Sequence, residues 1–226
     1  SEEIVTNIKI NTSVKSEPMP VYIYGQFIEH LGRCIYGGIW AEMIEDRKFW
    51  YVPGTRESVW RIRGEQSLLT MDTKDPFTGS QTPVLNSEGD KKAILLQENL
   101  GLKENLDYNG RIVLKATSGI EKAIVTLKWD EKTEVVEIKD ITKDYFTYPL
   151  KFRSTVLVHD AILSVEPVGK GKLWVGTVSL LPSDNVEGFR SDVLTILREL
   201  NSPVYRWPGG NFVSGYNWRD GIGDRD

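Results

Sequence analysis

The feature that most constrains the fold is a series of short segments with alternating apolar and polar residues, which fills the region 52–184. Turn-forming residues such as Asn109-Gly110 and the pair Gly169 and Gly171 separate the segments, and none has a helical apolar period. About eight such strands at a spacing of roughly 8–15 residues are typical of an antiparallel β-sandwich. The segments are SLLTMD, KKAILLQ, GRIVLKAT, KAIVTLKW, TEVVEIKD, FTYPLKF, AILSVEP and LWVGTVSLLP.

The residues on either side of this region follow other patterns. Residues 4–13 alternate as a strand does, and the apolar run 21–25 predicts a buried strand before a loop. A helix is predicted over 189–200, ending at Ser202-Pro203, and a second buried strand over 204–207. The apolar face of that helix consists of Phe189, Val193, Ile196, Leu197 and Leu200.

These patterns divide the chain into three predicted parts. Residues 1–51 carry an N-terminal strand and a first parallel strand with its loop. Residues 52–184 form the sandwich, and residues 185–226 carry a helix, a second strand and its loop. Strand, helix and strand form a βαβ unit, so the expected class is α/β plus all-β, with the sandwich inserted into the loop after the first strand.

Two glycine-rich loops follow the two predicted parallel strands. The first, YGQFIEHLGRCIYGGIW, contains Glu29, and the second, RWPGGNFVSGYNWRDGIG, contains Arg206 and Asn211. Loops after the carboxyl ends of parallel strands hold the active site in such folds. A carboxylate, a guanidinium and an amide together suit a ligand with many hydroxyl groups. An ion pair of Glu29 with Arg33, and a structural role of Arg206 beside a buried acid, stay open as alternatives.

Composition excludes some classes of function. A net charge of −4 in 226 residues argues against nucleic acid as the main partner, because phosphate binding needs a basic stripe. No apolar run approaches the ~20 residues of a membrane span. The single cysteine, Cys34, excludes an intrachain disulfide and is expected to be a buried small apolar residue. No cofactor and no metal site are predicted, because His30 is expected to be a structural histidine and His159 has no cysteine or histidine neighbour.

Both loop motifs closely resemble the α-L-arabinofuranosidases of glycoside hydrolase family 51. The resemblance covers roughly residues 20–50 and 185–226, in the expected order and with the expected helix between the motifs. The sandwich, through FTGSQTPVL and its strand spacing, more loosely resembles carbohydrate-binding modules that some members carry as an insert. The resemblance implies the start of a (β/α)8 TIM barrel, incomplete in this chain, and pairing of residues 4–12 with a β-domain from the far end of the full protein.

The resemblance also implies roles for single residues. Phe27 and Glu29 would line the pocket for a terminal arabinofuranosyl unit, with Glu29 on its hydroxyl groups. Arg206 would lie against the nucleophile carboxylate, and Asn211 would bind near the sugar. Further residues would support or shape the site, namely Trp207 and Trp218 as support or rim, and Cys34, Gly209 and Gly210 for shape.

The catalytic carboxylates are expected outside this chain. Retaining glycosidases need two carboxylates about 5 Å apart. In the family the acid/base glutamate follows an asparagine, and this chain contains no Asn-Glu dipeptide. Glu131, Glu134 and Glu137 alternate along one predicted strand as a solvated face does. The expected partner is therefore the remaining C-terminal part of the same enzyme, as a second chain or as the rest of a longer one.

The expected function is that of the amino-terminal part of a retaining, exo-acting α-L-arabinofuranosidase. Its substrate would be arabinoxylan, arabinan or arabino-oligosaccharides, in hemicellulose degradation and L-arabinose metabolism. The sandwich, on the active-site side of a barrel, would help to hold polymeric substrate. A homo-oligomer is an open alternative, and the compartment is secreted or periplasmic if a signal peptide was removed and cytoplasmic otherwise.

Two alternatives to this function stay open. One is an endo-glucanase or xylanase of the same family. The other is a non-catalytic carbohydrate-binding protein with Trp60, Trp129 and Trp174 as its sugar platform. Exposed coplanar rings would favour binding, and buried rings would indicate core packing.

Overall fold

The computed structural model describes residues 6–222 and consists mainly of β-strands. Among these residues the α-helix is Ser191–Leu200 (α1), and short 3-10 turns lie at Val21–Tyr24, Gln66–Leu68, Asn211–Ser214 and Trp218–Gly221. The strands are Gln26–Phe27 (β1), Arg61–Gly64 (β2), Leu69–Asp72 (β3), Thr82–Glu88 (β4), Ala93–Leu102 (β5), Leu106–Ala116 (β6), Ile120–Trp129 (β7), Lys132–Lys139 (β8), Phe146–Ser154 (β9), Val158–Pro182 (β10) and Tyr205–Arg206 (β11).

Strands β2 to β10 form the predicted antiparallel β-sandwich, which is confirmed. The first layer has the order β2-β5-β10-β7-β8. The second layer has the order β3-β4-β10-β6-β9. All of these pairings are antiparallel, as expected for strands joined by short turns.

Strand β10 belongs to both layers, because it bends from one to the other at its middle. Its first half pairs with β5 and β7, and its second half pairs with β4 and β6. Gly169 and Gly171 lie at the bend with φ values of 101° and 152°. The sequence predicts two strands with a turn at these glycines. That prediction is wrong, because the glycines redirect one continuous strand, as at the corners of other sandwiches.

Two strands have no counterpart among the predicted segments. Strand β4 contains Pro83 one residue after its start, and proline lowers the strand propensity of a run. Strand β2 is short, and three of its four residues are exposed at the sheet edge, so its apolar pattern is weak.

The core lies between the two layers. Alternation along each strand points every second side chain inward, and these side chains are apolar. The buried core residues include Leu95, Val125, Leu127, Leu163 and Val165 from the first layer and Leu85, Ile112, Leu114, Leu173 and Val175 from the second.

The loop after β1 packs against this sandwich. Ile44 and Phe49 are buried members of the core cluster, and the Phe49 ring lies 5.1 Å from the ring of Trp60. Backbone hydrogen bonds join Met43 N to Leu180 O and Val178 N to Arg47 O. The segment 41–49 thus completes the packing of the sandwich, although the division of the chain at residue 51 stays a prediction.

The remaining elements form a small parallel unit. Strands β1 and β11 pair in parallel, with Gln26 opposite Tyr205 and Phe27 opposite Arg206, and α1 lies between them in the chain. The predicted buried strand over 21–25 is wrong, because Val21–Tyr24 forms an exposed 3-10 turn and the strand begins at Gln26. Residues 6–13 form no strand in the described part of the chain, and residues 4–5 lie outside it.

The described residues form no closed barrel, so the start of a TIM barrel stays a proposal. The face of α1 predicted to be apolar is only partly covered, since Ile196 and Leu200 are exposed. No helix within residues 6–222 is long and apolar enough to span a membrane.

Candidate functional site

The parallel strands β1 and β11 bring the two glycine-rich loops together. Ile28 N donates to Arg206 O at 2.8 Å, which extends the ladder by one residue beyond β1. Glu29 follows directly and lies at the carboxyl end of β1, while Trp207–Gly210 leaves the carboxyl end of β11. The loops therefore meet at one edge of the parallel pair, as the strand order predicts.

The carboxylate of Glu29 is held by the second loop. Its Oε1 accepts a hydrogen bond of 2.8 Å from the backbone N–H of Phe212. No ion pair between Glu29 and Arg33 is present in the described part of the chain, so that alternative is not supported. A half-buried carboxylate with one backbone donor keeps further acceptor sites for a ligand.

Gly209 is the position where the second loop passes closest to Glu29. A Cβ atom at Gly209 would lie less than 3.0 Å from Cα, Cβ and Cγ of Glu29. Gly209 also has a φ of 117°, which favours glycine. The loop can approach the glutamate this closely only with glycine at this position.

The other predicted sugar-binding residues lie around this contact and are exposed. The guanidinium carbon of Arg206 lies 5.4 Å from the ring centroid of Phe27, and 55% of Phe27 is exposed. Asn211 begins the 3-10 turn that contains Phe212. The structure thus brings Phe27, Glu29, Arg206 and Asn211 to the same edge, and their roles toward a sugar stay proposals.

Aromatic rings surround the loop contact. The ring of His30 lies 4.4 Å from that of Phe212, 5.7 Å from that of Tyr36 and 5.9 Å from that of Trp207. Trp207 thus touches the site, whereas Trp218 is 63% exposed. His30 acts here as a packing residue.

The first loop turns sharply at Gly37, which has a φ of 70°. The turn carries Tyr36 and Trp40, whose rings lie 5.3 Å apart. Cys34 is exposed, so the prediction that it is a buried apolar residue is wrong. It lies before this turn, on the solvent side of the loop.

Two of the three predicted platform tryptophans are buried. Trp60 is 0% exposed and Trp129 is 3% exposed, and both belong to the sandwich core. Trp60 Nε1 donates to Asp46 O at 3.0 Å. A ring with no exposed face cannot stack on a sugar, so Trp60 and Trp129 are wrong as platform residues and serve the core.

Trp174 differs, because it points away from the core and is half-buried. Its Nε1 donates to Asp72 Oδ2 at 2.9 Å, and the Lys115 amine lies 5.2 Å from its ring centroid. The pKa of Asp72 is lowered, first by the backbone N–H of Asp75 and then by Trp174. These contacts fix the ring at the outer face of the second layer, where Tyr145 lies beside Lys115.

Sequence reasoning missed several residues of the site. The donor from Phe212 is a backbone group, which leaves no trace in residue type. Tyr36 and Trp40 lie inside the first motif but could be placed only once the turn at Gly37 was known. Among residues 6–222, no group of three or more His, Cys, Asp or Glu side chains is placed to hold a metal ion.

Comparison with known proteins finds arabinofuranosidases. No family model matches the chain. An intracellular exo-α-L-arabinofuranosidase of Bacteroides ovatus is 50% identical over 56 residues, which are 25% of this chain and 10% of that protein. An intracellular exo-α-(1→5)-L-arabinofuranosidase of Halalkalibacterium halodurans is 57% identical over 42 residues, 19% of this chain and 8% of that protein.

A longer match is weaker in identity. Alpha-L-arabinofuranosidase 2 of Arabidopsis thaliana is 23% identical over 268 residues, with 98% of this chain and 37% of the plant protein covered. The chain thus spans well under two thirds of the length of the curated relatives it matches.

Solved structures match the sandwich. The CBM22-1–GH10 modules of Clostridium thermocellum endo-1,4-β-D-xylanase 10B, complexed with xylohexaose, align with a TM-score of 0.50 and 15% identity, covering 66% of this chain and 30% of that one. At this identity the match supports a shared β-sandwich fold. The similarity to arabinofuranosidases rests on the sequence matches, and the solved structures add nothing to it. The chain thus resembles α-L-arabinofuranosidases, strongly over short stretches and weakly over its whole length, as its two motifs predict.

Proposed function

We propose that this chain is the amino-terminal part of a retaining, exo-acting α-L-arabinofuranosidase of glycoside hydrolase family 51. The enzyme would release terminal arabinofuranosyl groups from arabinoxylan, arabinan or arabino-oligosaccharides. This chain would supply the start of a (β/α)8 barrel, with residues 52–184 as a carbohydrate-binding-module-like insert.

The observation that carries the proposal is the contact between the two loops. Glu29 lies at the end of β1 and accepts from the N–H of Phe212, in the loop after β11. The exposed side chains of Arg206 and Asn211 flank that contact. A sugar needs such mixed donors and acceptors around an open edge, because each hydroxyl group both donates and accepts.

Bond cleavage would belong to the rest of the enzyme. A retaining glycosidase uses one carboxylate as acid and base and a second as nucleophile, through a glycosyl-enzyme intermediate. In the proposed active site Glu29 would bind hydroxyl groups of the arabinofuranosyl unit, and Arg206 would lie beside the nucleophile. This chain would therefore bind and orient the sugar.

Uncovered apolar side chains support a further part of the protein on this side. Tyr22, Ile23 and Tyr24 before β1 are exposed, as are Ile196 and Leu200 of α1. Exposed apolar surface beyond scattered single side chains is typical of an interaction site. We assign its covering to the remaining barrel, as part of the same polypeptide or as a second chain.

The test is the substitution Glu29→Gln in the longer protein that carries this chain, assayed on a small aryl α-L-arabinofuranoside. Glutamine can still accept from Phe212 N–H but removes the charge. A hydrogen bond to a charged group is worth about 1.5–3 kcal/mol, so kcat/KM should fall by roughly 10- to 100-fold. Glu57→Gln, in an exposed loop, is the matched control and should behave as wild type.

The Glu29→Gln experiment also distinguishes the proposed enzyme from the alternative, a non-catalytic carbohydrate-binding protein. The observation that favours this alternative is the fixed, half-buried ring of Trp174 on the outer face of the second layer. In that case sugar binding would be lost in Trp174→Ala and unaffected by Glu29→Gln, and no arabinose would be released. An endo-acting xylanase or glucanase would cleave polymer backbones and leave the aryl arabinofuranoside intact.

A further inference from the structure

A cavity of about 470 Å³ lies between the loop contact and the sandwich. Its volume falls within the roughly 300–1,000 Å³ that is typical of ligand sites. His30, which follows Glu29 in the chain, and Trp207 line it together with Arg111 of β6. Nothing in the loop motifs or in the sandwich pattern assigns a ligand to this cavity.

One wall of the cavity is a row of aromatic rings that starts at the Glu29 contact. The ring of Phe212 lies 4.4 Å from His30, His30 lies 5.7 Å from Tyr36, and Tyr36 lies 5.3 Å from Trp40. The row ends at Arg47, whose guanidinium lies 5.6 Å from the centroid of Trp40. His30, Tyr36 and Trp40 all line the cavity.

The opposite wall belongs to the second layer of the sandwich. Alternation along β10 places Val178 and Leu180 in the core, so Ser179 and Leu181 face outward into the cavity wall. Arg111 lies directly opposite Ser179 across the β6–β10 pair. The insert therefore supplies polar groups within the same cavity that the first loop lines with rings.

Buried hydrogen bonds hold the two walls at a fixed distance. Glu42, whose side chain is 2% exposed, accepts from Leu180 N at 2.8 Å and from Ser179 Oγ at 2.5 Å. Ala41 N donates to Gly188 O, and Arg190 N donates to Ile39 O. A site whose walls are fixed before binding loses less entropy when the ligand enters.

The chemistry of the walls suits a neutral oligosaccharide. Aromatic rings cover the apolar C–H faces of sugar rings, and charged or polar side chains at the edge satisfy hydroxyl groups. The cavity is lined by Arg47, Arg111 and Glu187 and by Glu42, whose carboxylate is already engaged in holding the two walls. These side chains offer hydrogen-bond donors and acceptors. Because their charges are of both signs, the cavity does not favour an anionic ligand over a neutral one.

We propose that this cavity binds the sugar units next to the terminal arabinofuranosyl unit of a polymeric or oligomeric substrate, with Trp40 and Arg111 as its specificity-determining residues. This inference rests on the proposed function, because it takes Glu29 as the neighbouring subsite. The sandwich then acts as one wall of the substrate cleft, in contrast to a remote binding module.

The test measures the affinity of the 226-residue chain for two neutral probes by titration calorimetry. The probes are α-1,5-linked arabinotetraose and an arabinose-substituted xylotetraose. Trp40→Ala and Arg111→Ala should each weaken the tighter-bound probe by about tenfold or more, since each removes a stacking ring or a charged hydrogen-bond donor. Trp50→Ala, a tryptophan that is 75% exposed outside the cavity, is the matched control and should bind as wild type.

Arg111→Ala keeps the test valid if Trp40→Ala fails to fold, because Arg111 projects outward from a sandwich strand. Unchanged affinity in Arg111→Ala, or no binding of either probe by the wild-type chain, would overturn the cavity assignment. Both results leave the proposed function intact if the longer protein still releases arabinose from the aryl substrate. Loss of affinity in Arg111→Ala without any arabinose release would retain the sugar-binding cavity and overturn the proposed enzyme.

Discussion

The backbone N–H of Phe212, in the loop after β11, orients the carboxylate of Glu29. This loop can come so close to Glu29 only because residue 209 is glycine. The carboxylate accepts from Phe212 N–H, and Gly209 lies against the Cα, Cβ and Cγ atoms of the same residue. A backbone donor near the start of a short turn holds a carboxylate without competing for its other oxygen. The orientation of the proposed sugar-binding group thus depends on a residue that carries no functional group.

Replacing Gly209 by alanine should therefore separate the two loops. The new Cβ would clash with Glu29, and alanine is strained at a φ of 117°. We expect the Phe212 amide to exchange its hydrogen faster by roughly tenfold or more, because its acceptor moves away.

Gly215→Ala is the matched control for this substitution. A Cβ at Gly215 meets nothing within 4 Å, and the residue lies in the same loop. Equal exchange rates at Phe212 in both variants, measured by hydrogen exchange and mass spectrometry, would contradict the proposed role of Gly209.

At this scale the sequence predicts residue types better than contacts. Glu29, Arg206 and Asn211 could be selected because charged and amide groups after parallel strands are typical of binding sites. The burial of Trp60 and Trp129 could not be predicted, because a tryptophan on a strand can face either side and only the register decides.

At the level of elements, the segment after β1 joins the parallel pair to the sandwich. Glu42 is its main polar anchor, with acceptor bonds from Ile44 N, Leu180 N and Ser179 Oγ and with Arg47 at 3.7 Å. A buried carboxylate with several donors stabilises its surroundings, and its loss leaves those donors unsatisfied.

Glu42→Ala should therefore lower the free energy of unfolding by about 3 kcal/mol or more. Urea denaturation followed by tryptophan fluorescence measures the change, since buried Trp60 reports on the sandwich. Glu104→Ala, on an exposed turn, serves as control and should change stability by less than about 0.5 kcal/mol. A Glu42→Ala variant as stable as this control would contradict the anchor.

The start of α1 carries an ion pair with a defined pH dependence. The hydrogen bond from Arg190 lowers the pKa of Asp192 from 3.8 to about 2. Because the folded pKa lies below the unfolded one, the pair stabilises the fold above pH 5, and this stabilisation is lost as the pH falls toward 2. Both side chains are more than a third exposed, so screening limits the effect to less than about 1 kcal/mol.

Asp192→Asn should destabilise the protein slightly at pH 6, and the difference from wild type should shrink by about half at pH 3. Urea midpoints of both proteins at the two pH values provide the measurement, with Asp90→Asn on an exposed turn as control. A difference that stays constant between pH 6 and pH 3 would show that the charge of Asp192 is not involved.

Elements were predictable where one local pattern decides the outcome. The alternation in the sandwich strands and the apolar period of α1 are local signals, and both elements form near the predicted bounds. The bend of β10 was not predictable, because glycine marks a turn and a strand corner equally well. The run 21–25 is apolar but exposed, since burial depends on elements outside the local pattern.

For the whole molecule, the sandwich and the loop contact form one continuous arrangement around the cavity. Segment 41–49 packs into the core cluster through Ile44 and Phe49, so the insert cannot turn freely relative to the loops. The parallel pair and α1, in contrast, leave apolar side chains exposed. The sandwich with its buried core thus lies beside the part that we propose is completed by the remaining barrel.

The release of L-arabinose from a small aryl α-L-arabinofuranoside tests the central proposal most directly. The initial rate is measured for the 226-residue chain alone and for the longer protein that carries it. We predict release by the longer protein and none above background by the chain alone, because we propose that both catalytic carboxylates lie outside this chain. Release by the isolated chain, or none by the longer protein, would contradict the proposed division of sugar binding and bond cleavage.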